Sequence, residues 1–278
     1  MTTDAAPFRV LRRSATQLSL VVAALLVAAP LLWALKSSFT PTGEVMSTGL
    51  FQLPSRFTLD NYVLGWQSAP FVTYFANSFI VAVAVTTLTL LASVTAGYGF
   101  ARFTFPGKRA LFILTLAAMM MPFQAIMIPL FIQVRSFGWL DSFAGLIIPG
   151  AVSAFGVFLM RQFLAGLPHA LFEAARIDGA SELRVFLSVV VPLARGPMAA
   201  LGALTFLASW NNFLWPLIVV GSTGMTTVPL GLSQFRGSNA TDYGQVLAVS
   251  MLAAIPVIVV FLVLRRHIVA SFASSGLK

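Results

Sequence analysis

From Glu173 to Pro197 the chain reads E-A-A-R-I-D-G-A-S-E-L-R-V-F-L-S-V-V-V-P-L-A-R-G-P, the one charge-rich stretch in a sequence otherwise built of long apolar runs. The chemistry suited to it is docking. Glu173, Asp178 and Glu182 alternate with Arg176, Arg184 and Arg195, and Ala174-Ala175 let a partner surface come close while the charges set its register. A second group lies inside the apolar runs: Asn77, Gln124, Trp210, Asn211, Asn212 and Trp215. Amide groups and indole faces are what sugar hydroxyls bind, and intramembrane polar residues mark transport paths. Asn and Gln also bond helix to helix across a bundle. Both readings stand at this level.

Other chemistry is missing. No Ser/His/Asp constellation supports hydrolysis, so no catalytic residue is assigned. His169 and His267 lie far apart with no carboxylate pattern around them, and there are 0 cysteines, so neither a metal site nor a disulfide is expected. Gly107-Lys108 lacks both the earlier glycine and the following Ser/Thr of a phosphate-binding loop, so this chain is not expected to bind ATP.

The elements that must position these residues are membrane helices. Of the 278 residues 58% are apolar and only 9% charged, against about 25% charged in soluble domains. The chain cannot cover its own surface in water. The apolar runs are too long for the alternating strands of a barrel, so the fold class is all-α integral membrane. Charge-free windows of spanning length occur at Ser14–Leu35, Asn61–Ala101 (helical from about Phe71), Ala110–Val134, Ser142–Met160, Gly196–Phe235 (helical to about Val220) and Tyr243–Leu264. That predicts six transmembrane helices. Ser14–Leu35 exceeds the apolar region of a signal peptide.

With the N-terminus inside, the inner segments hold Arg9, Arg12, Arg13, Arg102, Lys108, Arg109, Arg161, Arg176, Arg184, Arg195, Arg265, Arg266 and Lys278, which is thirteen of the 17 basic residues. Lys36, Arg56, Arg135 and Arg236 lie outside. This bias puts both termini, and the Glu173 segment, in the cytoplasm. Because the basic residues sit at the ends of apolar runs, the net charge of +9 reads as membrane topology and no nucleic-acid partner is expected. The chain divides into an N-terminal helix plus extracytoplasmic loop (1–70), a transmembrane core (71–266) carrying a cytoplasmic segment (164–197), and a tail (267–278).

Periodicity shapes that segment into helix, turn, helix. Pro168 suits a first helical position, with Leu171, Ala174 and Ala175 on one face. Asp178-Gly179 ends the helix, with glycine in the left-handed position. Ser181 caps a second helix in which Leu183, Phe186, Leu187 and Val190 share a face, and Pro192 breaks it. On periodicity alone this is either a docking element or an amphipathic connector on the membrane. Residues 37–70 read as loop and short turns. Met121-Pro122 and Ile128-Pro129 read equally as a gate or as packed kinks. Gly221–Asp242 reads as an outer loop.

Glu173-Ala174-Ala175, three residues, Gly179, nine residues, then Val189-x-Val191-Pro192 resembles the EAA signature of binding-protein-dependent ABC importer permeases, with Val where that family favours Ile and Leu. Phe75-Ala-Asn-Ser78, Ala96-Gly-Tyr-Gly-Phe-Ala-Arg102, Phe105-Pro-Gly-Lys108, Met121-Pro-Phe-Gln124, Ile128-Pro-Leu-Phe131, Phe158-Leu-Met-Arg-Gln-Phe163 and Trp210-Asn-Asn-Phe-Leu-Trp-Pro216 resemble its carbohydrate, MalG-like branch. The likeness is weakest over residues 1–57. It implies a type I, MetI-like core in the prokaryotic cytoplasmic (inner) membrane, paired with a homologous second permease. Two cytoplasmic ATPase subunits would hold ATP and Mg and drive it, and an extracytoplasmic solute-binding protein would deliver a carbohydrate or related polyol. On this resemblance Glu173, Ala174, Ala175, Asp178, Gly179 and Pro192 couple to the ATPase, Gln124, Asn77, Trp210, Asn211 and Trp215 lie along the solute path, and the Gly221–Asp242 loop faces the binding protein. The terminal Ser275-Gly276-Leu277-Lys278 resembles a tail that reaches the ATPase. The alternative, an ion-coupled secondary transporter, finds no acidic residue in any predicted span for a proton relay. An intramembrane enzyme finds no nucleophile–base pair.

Overall fold

The computed structural model describes residues 5–49, 52–235 and 242–275, with side chains described within 16–49, 52–234 and 242–265. Asp4, Arg236 and Gly276–Lys278 therefore lie outside the described residues, as do the side chains of Arg9, Arg12, Arg13, Arg266, His267 and Ser275. Among the described residues there is no strand. The helices are α1 (Ala5–Ser38), α2 (Asp60–Gln67), α3 (Phe71–Arg102), α4 (Lys108–Met119), α5 (Phe123–Ser136), α6 (Phe143–Ile147), α7 (Ala154–Ala165) and α8 (His169–Ile177). They continue as α9 (Glu182–Leu193), α10 (Arg195–Trp210), α11 (Leu214–Val219), α12 (Val228–Phe235) and α13 (Tyr243–Ser275).

Three stretches are long and apolar enough to span a bilayer unbroken: Thr16–Ser38, Phe71–Arg102 and Tyr243–Arg265. Two of the other expected spans are bent pairs and the third is divided into two helices, which corrects the sequence reading. Ala110–Val134 is not one helix, because α4 and α5 meet at 103°. Pro122 is extended at φ −66, ψ 138, and proline disfavours helix in the residue before it. Pro129, by contrast, sits inside α5. Ser142–Met160 bends by 42° between Phe143–Gly150 and Ala154–Ala165, with Ser142 and Ser153 accepting from Gly145 N (3.3 Å) and Gly156 N (3.1 Å) as N-caps. Gly196–Val220 divides into α10 and α11. Pro216 has no N–H to give, so it belongs in the first turn of a new helix, where Trp215 N donates back to Asn212 Oδ1 at 3.3 Å. The Gly221–Asp242 loop contains α12, and residues 37–70 contain α2. α13 continues as helix through residues expected to form a tail.

The chain forms two units, 1–69 with 234–252, and 70–233 with 253–278. Residues 234–252 thus belong with the first unit, although the sequence places them in the core. In the first unit the α1 side chains from Leu18 to Leu32 are largely exposed, which suits a helix that is apolar all round only in lipid. Asn61 is buried and donates to Ser38 O (3.0 Å) and Thr40 O (2.7 Å). Gly244 is needed beside it, since a Cβ there would fall 2.7 Å from Asn61 Nδ2. Glu44 accepts from the Ser55 hydroxyl and from Ser55 N. These bonds hold its carboxyl below the usual carboxylate range.

The second unit centres on α3, which packs on α7 and α10. Small residues set the approach. A Cβ on Gly97 would fall 2.7 Å from Met160 Cβ and 2.9 Å from Arg161 N, and one on Gly156 would fall 2.2 Å from Ser93 Oγ. Membrane helices use small residues to bring backbones together in this way. Asn77 donates to Gly224 O (2.8 Å) and Thr226 O (3.0 Å), and Ser78 Oγ accepts from Val228 N (2.8 Å). At the α5–α6 turn, Asp141 adopts φ +54. Its carboxylate accepts from Ser222 N (3.0 Å) and Gly221 N (3.1 Å), and Ser222 followed by Gly221 holds its pKa below the usual carboxylate value.

Two predictions follow from these packings. Gly97→Ala should destabilise the solubilised chain by about 1–3 kcal/mol, since backbone atoms are the obstacle. Gly99→Ala, with nothing within 4 Å, should not lower the melting temperature. Equal effects in thermal unfolding would refute the close-approach argument. Asp141 has a depressed pKa, so its tie is present above the usual carboxylate pKa and is lost as pH falls through the lowered one. Asp141→Asn keeps a side chain that tolerates the left-handed backbone. It should cost less than about 1 kcal/mol at neutral pH because solvent screens an exposed charge. That difference should begin to shrink as pH falls below the usual carboxylate value and vanish only below the lowered one, and a gap that widens on acidification would contradict it.

Candidate functional site

The charged segment folds as an elbow. α8 ends in a Schellman arrangement, with Ala180 N donating to Ala175 O and Gly179 N to Arg176 O, both at 3.0 Å. Gly179 takes φ +76, a conformation glycine reaches without a Cβ penalty. Ser181 then caps α9, its hydroxyl accepting from Arg184 N at 3.4 Å. Pro168 occupies the N-cap of α8, one residue before the expected position. Pro192 does not break the helix as expected. A π-helical turn over Phe186–Val190 precedes it, so the wider coil accommodates the missing N–H and the ring. The chain instead turns by 73° after Leu193.

In α9 the buried face differs from the periodicity, whereas α8 leaves the face of Leu171 and Ala174 open to a partner. Phe172 is 2% exposed, while Leu171 and Ala174 face outward. Val185 and Val190 are buried, whereas Leu183 is 67% and Ile177 85% exposed. The cause is non-local. The Arg102 guanidinium lies 3.9 Å over the Phe172 ring and donates to Leu164 O and Leu167 O, both at 2.7 Å. Tyr98 stacks on Phe172 with centroids 6.3 Å apart and its hydroxyl donates to Glu182 Oε2 at 3.0 Å. Glu182 Oε1 pairs with Arg176 at 2.8 Å. Magnitudes rank these contacts. The Arg176–Glu182 pair is about half exposed and contributes at most about 1 kcal/mol. A desolvated cation–π contact is worth about 2 kcal/mol, and a hydrogen bond from a charged group about 1.5–3. Arg102 therefore holds the elbow. Glu173 and Asp178 are exposed, and their carboxylates make no hydrogen bond or ion pair with other described residues.

Tyr98 and Arg102 are the functional residues that sequence reasoning missed. Their signal was available: an aromatic and a cation four residues apart share a helix face at the end of an apolar run.

At the level of the apolar spans the second unit encloses a cavity of about 440 Å³. Trp215 and Asn212 line it, together with Thr205, Ser209 and Thr227. Thr227 is 4% exposed, and its hydroxyl finds no partner among the described residues. No sequence pattern pointed to it. The remaining predicted path residues are placed elsewhere. Asn77 is buried with its amide committed to two carbonyls. Trp210 is buried, donating to Ala253 O at 3.1 Å. Asn211 is exposed and bonds back to Leu207 O at 3.0 Å. Gln124 is exposed in the first turn of α5, next to Phe123, which does line the cavity. Trp215 donates its own N–H to Gly145 O at 2.9 Å. Among the described residues no three metal-ligating side chains converge.

The chain is 36% identical to the arabinooligosaccharides transport system permease protein AraQ of Halalkalibacterium halodurans, over 90% of each chain. It is 36% identical to the diacetylchitobiose uptake system permease protein NgcG of Streptomyces coelicolor, over 93% of this chain and 87% of that one. It is 34% identical to the sn-glycerol-3-phosphate transport system permease protein UgpE of Salmonella choleraesuis, over 94% and 95%. A crystallised bacterial ABC transporter involved in alginate import has a chain of the same fold, with a TM-score of 0.83 at 23% identity over 96% of this chain and 99% of that one. Residues 89–273, which include the elbow and its EAA motif, match one family throughout, and the chain belongs to it: the binding-protein-dependent transport system inner membrane components.

Proposed function

We propose that this chain is the permease subunit of an ATP-driven importer for a carbohydrate or related polyol, with six spans and both termini in the cytoplasm. It pairs with a homologous permease and receives solute from an extracytoplasmic binding protein. It is driven by two ATPase subunits that carry the ATP and Mg, and Glu173, Ala174, Ala175, Asp178, Gly179 and Pro192 form the coupling segment. The carrying observation is the elbow: Ile177 and Leu183 stand exposed beside an unpaired Glu173, on a segment tied through Phe172 and Arg102 to α3. The bent pairs α4–α5 and α6–α7, and α10 with α11, serve as the other three spans. Relatives named for arabinooligosaccharide and diacetylchitobiose transport support a carbohydrate, and one named for sn-glycerol-3-phosphate extends the class to a polyol ester.

The mechanism uses α3 as a rod. Arg102 and Tyr98 hold its elbow end, while Ser78 and Thr89 on the same helix line the cavity. Thr89 to Arg102 is about 20 Å of helix. Closure of the ATPase dimer would displace the elbow, and a rigid helix carries that displacement to the cavity wall. Trp215 offers an aromatic wall, while Asn212, Ser209, Thr205 and Thr227 offer groups for hydroxyls. Gln124 and Asn211, both exposed, face the remainder of the path or the second permease. Asn77 and Trp210 act by holding its walls.

Gly179→Pro forces φ to about −65° where +76° is required. In the reconstituted importer it should leave insertion intact and abolish solute-stimulated ATP hydrolysis. Ile177→Asp, on the exposed surface, should weaken co-purification of the ATPase at least tenfold without lowering the permease's melting temperature. Normal coupled uptake in both variants would remove the elbow from the coupling path. Thr227→Val deletes a hydroxyl with no partner, so the fold should be no less stable. Solute uptake should show a raised KM at unchanged basal ATPase rate, and an unchanged KM would exclude Thr227 from the path.

A further inference from the structure

The second unit holds another cavity, of about 480 Å³, at the elbow end of the helices. Lys108, Arg109 and Arg161 line it, with the rings of Phe100, Phe105 and Phe112. Its position at that end follows from Arg102, which bonds Leu164 O in the last turn of α7 and Leu167 O just past it, shortly after Arg161. Three cations in one cavity repel one another unless something compensates them. Among the described residues the one ion pair is Arg176–Glu182, so no carboxylate serves these three. Their contacts are neutral: Lys108 donates to Phe103 O at 2.8 Å and Arg161 to Gln162 Oε1 at 2.9 Å, while Arg161 lies 4.7 Å over the Phe112 ring.

The other half of the cavity is apolar and continuous. Phe105 meets Phe100 at 6.0 Å, Phe100 meets Phe112 at 5.5 Å, and Phe112 stacks on Phe158 at 6.4 Å. The ring ladder runs from the charged mouth to α7. Gly107 shapes the mouth. At φ +78 it turns the chain into α4, and a Cβ there would meet nothing within 4 Å. The glycine therefore serves the left-handed turn and leaves open space. That turn delivers Lys108 and Arg109 on the first residues of a helix, where the backbone dipole also favours an anion.

We propose that this cavity binds an anionic phospholipid, its phosphodiester held by Lys108, Arg109 and Arg161 and its acyl chains laid on the Phe100–Phe112–Phe158 ladder. Basic cavities between helices at the membrane surface take anionic head groups. A free phosphate would satisfy the cations and leave the rings without a role, which is why an amphipathic ligand fits better. The assignment to the cytoplasmic leaflet rests on the topology proposed above. The binding itself does not.

Native mass spectrometry of the assembled importer, titrated with phosphatidylglycerol and with phosphatidylcholine of the same chains, tests it. Wild type should retain phosphatidylglycerol in preference. At about fivefold per basic residue lost, Arg109→Gln should weaken retention about fivefold, and Lys108→Gln with Arg109→Gln and Arg161→Gln about a hundredfold. Arg109 is exposed, so its variant folds and keeps the test decisive if the triple variant does not. Equal retention of the two lipids, or variants that bind as wild type does, would overturn the proposal. So would displacement of the lipid by millimolar inorganic phosphate, which marks a free-phosphate site. Loss of the ATPase from the variants with lipid retention unchanged would assign the cations to a protein partner and equally overturn it. The readout needs no transport, so an uncoupled importer that still retains phosphatidylglycerol leaves this inference standing while the functional reading fails.

Discussion

The structure turns on the guanidinium of Arg102. Where the chain leaves α7, the carbonyl of Leu164 in its last turn and that of Leu167, two residues past its end, both accept from Arg102. The same group covers the Phe172 ring, so it also decides which side of α8 faces inward. Because Arg102 is the last residue of α3, three elements share one charge. Tyr98, one turn earlier, adds the bond to Glu182 and so brings in α9. Without this junction the elbow would hang on a half-exposed ion pair and on the chain itself.

The rigidity that makes the junction useful comes from the contact of α3 with α7. Ser93 and Gly97 meet Gly156 and Met160 so closely that no Cβ can be added at either glycine without displacing neighbours. The irregular backbone is gathered elsewhere. The breaks before α5, before α7 and before α11 present Phe123, Ser153 and Asn212 to the same cavity. Irregular backbone at membrane depth survives only where it is buried in protein or lines a cavity. The three bends and the cavity are therefore one feature. Helix α3 is regular, and the cavity walls around it are not.

Much of this was legible in the sequence, and the limits have physical causes. Hydropathy and the clustering of basic residues mark the membrane class, because both report on lipid directly. The elbow was legible through local chemistry, since a left-handed glycine and a serine cap act within four residues. The bend at Pro122 was legible as a gate or a kink, whereas the break before Pro216 was not, because an apolar window counts transfer energy and ignores a missing N–H. The burial of Phe172 was not legible because its partner, Arg102, stands seventy positions earlier. Thr227 carried no signal at all, since only a folded cavity makes a hydroxyl an orphan.

Pro192 shows how a local rule can fail while its purpose is kept. In a regular α-helix its ring would collide with the carbonyl four residues earlier. The π-helical turn over Phe186–Val190 relieves the collision upstream and shifts the helix phase, so that Val185 and Val190, five residues apart, are both fully buried. An unbroken α-helix would set those two about 140° apart, with one of them facing out. The π turn thus lets α9 seal against α3 and α7 along its length while Leu183 and Leu187 remain outward. Glycine opens the elbow and proline shapes its second arm, and an exposed apolar face on a rigidly held base is the result.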